Sequence, residues 1–324
     1  MTLLARPITP DEVAVYRHHG VVLLRGILGL QSVNSLRRAI DAAVSTMGDS
    51  PAGYDLSLVR RAAQAANSEV FRETDGRRDD VSGLMAHVKA SGKPFLVDQS
   101  DEDEGSFLLD TGLTSRIGEF RKFALNGPAG EIAATLLQSE IVRFFNDQIF
   151  VKEARTPDRT AFHQDATYFE IDDDQCCVLW IPVDPVRLES GAMLYLRGSH
   201  RDGRLYQPNV FMTQTPLLGA EGEPLPDIEG HMEDYDLIYF ETEPGDVLVH
   251  HYRTVHGAGG NNTRYQVRRP HHCDIAATTS RSRSVPGRRS NSTTQIGCVT
   301  ASCCRVPIFQ SCGRGSKTRK PRNR

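Results

Sequence analysis

The 324-residue sequence has no uninterrupted apolar run near the roughly 18–20 residues that a membrane span requires. Its first residues, MTLLARPITPDE, show no basic region followed by a long apolar stretch and a small-residue cleavage site. Those absences set the expectation of a cytoplasmic protein with no membrane partner. A disulfide framework is missing too. Only Cys176 and Cys177 precede residue 270, and adjacent cysteines in an apolar run read as small buried hydrophobes. No basic cluster in the β-rich part marks a site for the phosphates of coenzyme A. Charge of one sign is scarce only at the end: residues 271–324 hold 11 basic residues and one acid, against 27 and 40 in the remainder. Such a basic tail could suggest nucleic acid, but Phe309 is its only aromatic residue, so no nucleic-acid partner is expected.

The chain is long enough for one large domain with a substantial core. Thr9-Pro10-Asp11-Glu12 carries a helix start, with Thr9 as cap, proline at the first helical position and Glu12 closing a capping box. That helix is predicted to reach His19, Gly20 to break it, and Val21–Leu24 to form a buried strand. Val33, Leu36, Ile40 and Val44 recur at helical spacing and predict a second helix over Leu30–Met47. Residues 50–110 are polar and helix-prone, with Asp101–Glu104 a solvated loop. A further helix is predicted over Gly130–Leu137.

From Ile141 onward the runs Ile141–Glu153, Gln175–Pro182, Ala192–Arg197, Leu237–Glu241 and Asp246–His256 are short, β-rich and separated by Gly, Pro, Asp and Asn. They predict an antiparallel sandwich or barrel. Residues 202–235, rich in proline, predict a long loop that covers a site. The β pattern ends at Arg269. Pro270 cannot donate to a ladder, and the residues after it show no alternating apolar face. Residues 271–324 are therefore expected to be a disordered tail, or a stretch read out of frame or from a mis-joined exon.

Chemistry gathers in Phe162–Ile171, FHQDATYFEI. With 11 His and 24 Asp in the chain, roughly one His-x-Asp pair arises by chance, so the two found, His163–Asp165 and His272–Asp274, prove nothing alone. In a strand, residues two apart point the same way, so His163 and Asp165 could share a metal. Two histidines and a carboxylate on one face of an octahedron leave three sites open, as in non-haem Fe(II) oxygenases. His256 is the best second histidine, at the end of an apolar strand and before Gly257-Ala258-Gly259-Gly260. His250 and His251 compete with it; His200 reads as a turn residue. His272-Cys273-Asp274 has no strand signal around it and reads as chance.

HQDATYFEI, Trp180-Ile181-Pro182, Gly191-Ala192-Met193-Leu194 with Gly198-Ser199-His200, and PGDVLVHHYRTVHGAGGNNT occur in an order that resembles the phytanoyl-CoA dioxygenase family. The resemblance spans roughly residues 8–269. It implies a mainly β fold with added helices: a double-stranded β-helix (jelly roll, cupin-like) core over about 141–270, behind a helical part over about 1–140. It implies Fe(II), 2-oxoglutarate and O2, with succinate and CO2 released as a small-molecule metabolite is oxidised. His163, Asp165 and His256 match the iron ligands, and Arg268 matches the arginine that pairs with the far carboxylate of 2-oxoglutarate, with Arg264 and Arg269 as near alternatives. Gln148 and Trp180 match residues of the 2-oxoglutarate pocket. Halogenating relatives carry a small residue where Asp165 stands, so the carboxylate favours hydroxylation or a related oxidation. Two other readings compete: a metal-binding jelly roll inactivated because the tail replaces its last core strand, and an isomerase or hydrolase on a cupin-like barrel that needs neither O2 nor 2-oxoglutarate.

Overall fold

A computed structural model describes residues 3–57, 104–169, 171–172, 174–209, 211–217, 219–277, 281–282 and 304–305. The helix-prone reading of 58–103, most of the acidic run at 101–104, and most of the sequence after Ala277 lie outside these residues.

The chain opens as its capping signals dictate. The Glu12 amide donates to Thr9 Oγ1 at 3.2 Å and the Thr9 amide donates to the Glu12 carboxylate at 2.8 Å, closing the box at the head of α1 (Pro10–His19). Gly20 ends the helix at φ +77°, where a side chain would meet His200 and Thr254 at about 2.5 Å, so only glycine fits. β1 (Val21–Leu24) follows, then α2 (Leu30–Ser45), which buries Val33, Leu36 and Ile40. After β2 (Gly53–Asp55) and β3 (Phe107–Thr111) come three helices, α3 (Leu113–Arg116), α4 (Gly118–Asn126) and α5 (Pro128–Leu137). The sequence pointed to the last of these alone.

The rest is sheet. β4 (Ile141–Lys152), β5 (Thr160–His163), β6 (Ile171–Asp172), β7 (Cys176–Pro182), β8 (Met193–Leu196), β9 (Leu237–Tyr239), β10 (Val247–His251), β11 (His256–Ala258) and β12 (Pro270–Ala277) pair antiparallel. The large sheet runs β1-β10-β7-β12-β4-β3-β2 and the small one β5-β11-β8-β9. Leu248 and Trp180 of the large sheet pack against Met193, Tyr195 and Ala258 of the small one, which makes the space between the sheets the inner layer of the jelly roll. The outer face of the large sheet packs on α2, α4 and α5 in the main apolar core. Each large aliphatic or aromatic side chain fully buried there contributes about 1.5–3 kcal/mol.

Two strand expectations need correction. Asp246–His256 is not one strand. β10 ends at His251, the chain crosses between sheets over Tyr252–Val255, and His256 opens β11 in the small sheet. Nor does the β pattern stop at Arg269. Pro270–Ala277 is the fully buried β12, hydrogen-bonded to β7 on one side and β4 on the other. Pro270 stands first, where a missing N–H costs least. The alternation exists, but in an unfamiliar form. Cys273, Ile275 and Ala277 join the outer apolar core, while His272 and Asp274 occupy the intervening positions that face inward. His271 is also outward, its ring 4.6 Å from Phe120. It donates to Asp147 at 3.2 Å, and Asp147 also receives the Thr114 amide and hydroxyl at the start of α3. Cys177 and Cys273 are buried free thiols, and Cys176 is buried beside Cys177. None of the helices among the described residues is long and apolar enough to cross a membrane.

Candidate metal centre

His163 ends β5, and Asp165 begins a 3-10 turn over Asp165–Thr167. The pair therefore spans a strand end and a turn rather than two places on one strand, with Gln164 still extended between them. Gln164 faces away. Its amide donates to the Arg253 carbonyl at 2.8 Å, and its oxygen accepts from the Tyr206 amide at 3.1 Å. β11 pairs with β5 so that His256 stands opposite His163. Gly257 permits that approach, because a side chain there would press on Thr160 and Phe162 at about 3.0 Å.

Ligand atoms of His163, Asp165 and His256 lie within 4.8 Å of one another. Each histidine is fixed by its own backbone: His163 Nδ1 donates to the Ala161 carbonyl and His256 Nδ1 to the Thr254 carbonyl, both at 2.8 Å. That places the proton on Nδ1 and leaves each Nε2 lone pair facing Asp165, at 3.5 and 3.7 Å. Burial holds His256 down at about 3, so its imidazole is neutral at physiological pH. Burial alone would raise Asp165, but His256, His163 and His250 together hold its carboxyl well below the usual range.

His250 and His251, the competing histidines, point in opposite directions from adjacent positions. His250 is fully buried and donates from Nε2 to Asp165 at 2.9 Å, with Tyr195 hydroxyl 3.5 Å from its Nδ1. His251 donates to the Asp174 carbonyl at 2.7 Å and accepts from the Arg253 amide. His200 contacts the Arg17 carbonyl. Neither His251 nor His200 joins the cluster.

Arg268 is 1% exposed and forms no ion pair among the described residues. Its Nε and one terminal nitrogen have no partner; the other terminal nitrogen meets only Met193 sulfur, at 3.4 Å. The guanidinium lies 5.3 Å from the Trp180 ring, and burial lowers it to about 10. A second basic residue, which sequence reasoning missed, lies in the same region. Lys152, fully buried, bridges Arg268 through the backbone and donates to the Gly259 carbonyl at 2.7 Å. Its signal was a lysine closing the buried apolar run Ile149–Val151. The alternatives to Arg268 are accounted for elsewhere: Arg269 pairs with Asp184 at 2.7 Å and with Asp41, and Arg264 lies against exposed Tyr265. Gln148 contacts neither Arg268 nor Trp180 by hydrogen bond; its amide reaches Asp274 at 3.4 Å. The expected loop over 202–235 touches the centre through Phe211, whose ring is 5.2 Å from His163.

Two imidazoles and one carboxylate form a donor set suited to ferrous iron. A buried, half-unpartnered guanidinium beside a buried lysine suits a dicarboxylate. The residues thus fit both iron and 2-oxoglutarate. A jelly roll with this centre defines the Fe(II)/2-oxoglutarate-dependent oxygenases. The model of the phytanoyl-CoA dioxygenase family matches residues 16–269, and the chain belongs to that family of enzymes. It is 23% identical over 252 residues to 1-deoxypentalenic acid 11-beta-hydroxylase of Streptomyces arenae, covering 76% of this chain and 73% of that protein. It is also 23% identical over 270 residues to phytanoyl-CoA dioxygenase domain-containing protein 1 of Danio rerio, covering 79% and 86%. Among solved structures, the alpha ketoglutarate-dependent carbocyclase SnoK from nogalamycin biosynthesis aligns with TM-score 0.60 at 19% identity, over 91% of this chain and 94% of that one. EctD from S. alaskensis, solved with 2-oxoglutarate and 5-hydroxyectoine, aligns with TM-score 0.55 at 17% identity, over 88% and 83%. These two likenesses concern the fold.

Proposed function

We propose that the chain oxidises an unactivated C–H bond of a small-molecule metabolite, with His163, Asp165 and His256 holding ferrous iron and Arg268 holding 2-oxoglutarate. The observation that carries this reading is the convergence of the His163–Asp165 pair with His256 from another strand, both imidazoles tied at Nδ1 to a backbone carbonyl with Nε2 turned inward. Iron and 2-oxoglutarate, when bound, supply the oxidising power and consume O2 to release succinate and CO2.

The chain supplies position and exclusion of water. The carbonyls of Ala161 and Thr254 hold the two imidazoles in the tautomer a metal needs. His250 donates to one Asp165 oxygen, fixing the carboxylate's rotation and leaving the other oxygen free to bind. Arg268 offers a planar fork to a carboxylate, with Trp180 beneath it. Burial first, then Arg268, hold the Lys152 amine well below its usual range, and its Nζ donates to the Gly259 carbonyl. Phe211 and Tyr168 pack against His163 and screen it from bulk water. The carboxylate at Asp165 supports hydroxylation or a related oxidation over halogenation. The presence of β12 beside Arg268 supports the catalytic reading over an inactive jelly roll.

Single changes test the ligand set. His163→Ala, Asp165→Ala and His256→Ala should each lower Mn(II) affinity, read by calorimetry, by more than the roughly 10–100-fold typical of residues that merely support a ligand. Each should also abolish succinate release. Full Mn(II) binding in any one removes that residue from the set.

A further inference from the structure

Four inward-facing polar residues of β12 and β4 are unused by the assignment above. In the ladder His272 stands opposite Gln148, and Asp274 opposite Asn146. Asp274 is 1% exposed and has no ion pair among the described residues. One of its oxygens accepts a long bond from Gln148, 3.4 Å, and the other has no partner. Asn146 Oδ1 and His272 Nε2 are likewise buried and unpartnered. The four lie on the sheet facing the metal centre: the charge of Asp165 acts on both Asp274 and His272. Burial first, then the carboxylates of Asp165 and Asp147, push the Asp274 carboxyl well above its usual range. Among the described residues no ion pair offsets them. Arg268 acts on His272 rather than on Asp274, and Arg143, opposite Ala276, makes no ion pair with Asp274.

A buried carboxyl without a counter-charge is costly, and unpartnered buried polar groups are few in native proteins. When they gather beside a reaction centre, ligand recognition is the physical explanation. Asp274 Oδ1 and Asn146 Oδ1 are buried acceptors without donors, and His272 Nε2, its ring kept neutral by burial, is unpartnered on the same face and accepts in the tautomer protonated at Nδ1. A primary ammonium brings three N–H donors and one positive charge to a single point. A hydroxyl would satisfy one acceptor and bring no positive charge to stabilise an Asp274 carboxylate. A carboxylate or phosphate would be repelled by Asp165 and Asp147.

We propose that the substrate is a primary amine whose ammonium group is seated by Asp274, Asn146 and His272, on the sheet opposite the metal ligands. The proposal deepens the functional reading above and rests on it. As the amine docks, Asp274 gives up its proton to solvent and becomes the amine's counter-ion.

Calorimetry on the full chain loaded with Mn(II) and 2-oxoglutarate tests it. The probes are metabolite primary amines, each paired with its N-acetyl derivative and with the analogue carrying hydroxyl in place of nitrogen. At least one amine should bind tenfold or more tightly than both counterparts. The isosteric Asp274→Asn should erase that preference while Mn(II) and 2-oxoglutarate affinities stay within twofold, and Asn146→Ala should weaken the amine several-fold. The proposal is overturned if no amine outbinds its counterparts, or if the preference survives in Asp274→Asn. If the unaltered chain fails to bind Mn(II) or 2-oxoglutarate, the assignment of the centre itself falls, and this proposal with it.

Discussion

His163 and His256 are oriented by the same local device: a ring nitrogen donates to the carbonyl two residues back. The sequence carried the residue types and their order but not this device, which exists only once β5 and β11 place both rings against Asp165. Arg268 was distinguishable from Arg264 and Arg269 only by resemblance; burial now separates them physically. Arg268→Lys keeps the charge and loses the fork. With charge-assisted bonds contributing about 1.5–3 kcal/mol, 2-oxoglutarate affinity should fall about 10- to 100-fold by calorimetry. Asp274 gives a pH prediction. Its folded pKa is raised, so its contribution to stability is fully present below the unfolded carboxyl value of about 3.9 and is lost as pH rises toward the folded value. Asp274→Asn should therefore raise the denaturation midpoint of the ligand-free protein near pH 7–8 and change it little near pH 4. A midpoint lowered equally at both pH values would contradict this.

Among the elements, helices with caps and periodic apolar faces were the most legible, as α1 and α2 illustrate. β10 and β11 merged because one apolar run feeds two sheets, and periodicity does not mark a crossing. β12 was illegible for a functional reason. A strand that lines a site on one face and meets helices through a histidine on the other violates the apolar alternation by which strands are recognised. The same strand supports a structural prediction. Asp147 caps α3 through Thr114 and accepts from buried His271. Asp147→Ala removes the cap and orphans an imidazole. Denaturant unfolding should show a loss of about 2–4 kcal/mol, with little change in Mn(II) affinity.

At the scale of the molecule, the jelly roll was legible from strand count and motif order, because the family's signatures sit where the two sheets meet. The boundary near residue 270 was not. Charge and cysteine content change there, yet the large sheet continues through Ala277. β12 pairs with two neighbours over most of its length, so a chain ended after Arg269 would split the large sheet between β7 and β4. Such a chain should lack cooperative thermal unfolding by circular dichroism.

The most direct test of the account is a crystal structure with Mn(II) and 2-oxoglutarate bound. It should place one ion within about 2.0–2.3 Å of His163 Nε2, His256 Nε2 and one Asp165 oxygen, with the far carboxylate of 2-oxoglutarate on Arg268. An ion bound elsewhere, or held by His250 in place of His256, would contradict it.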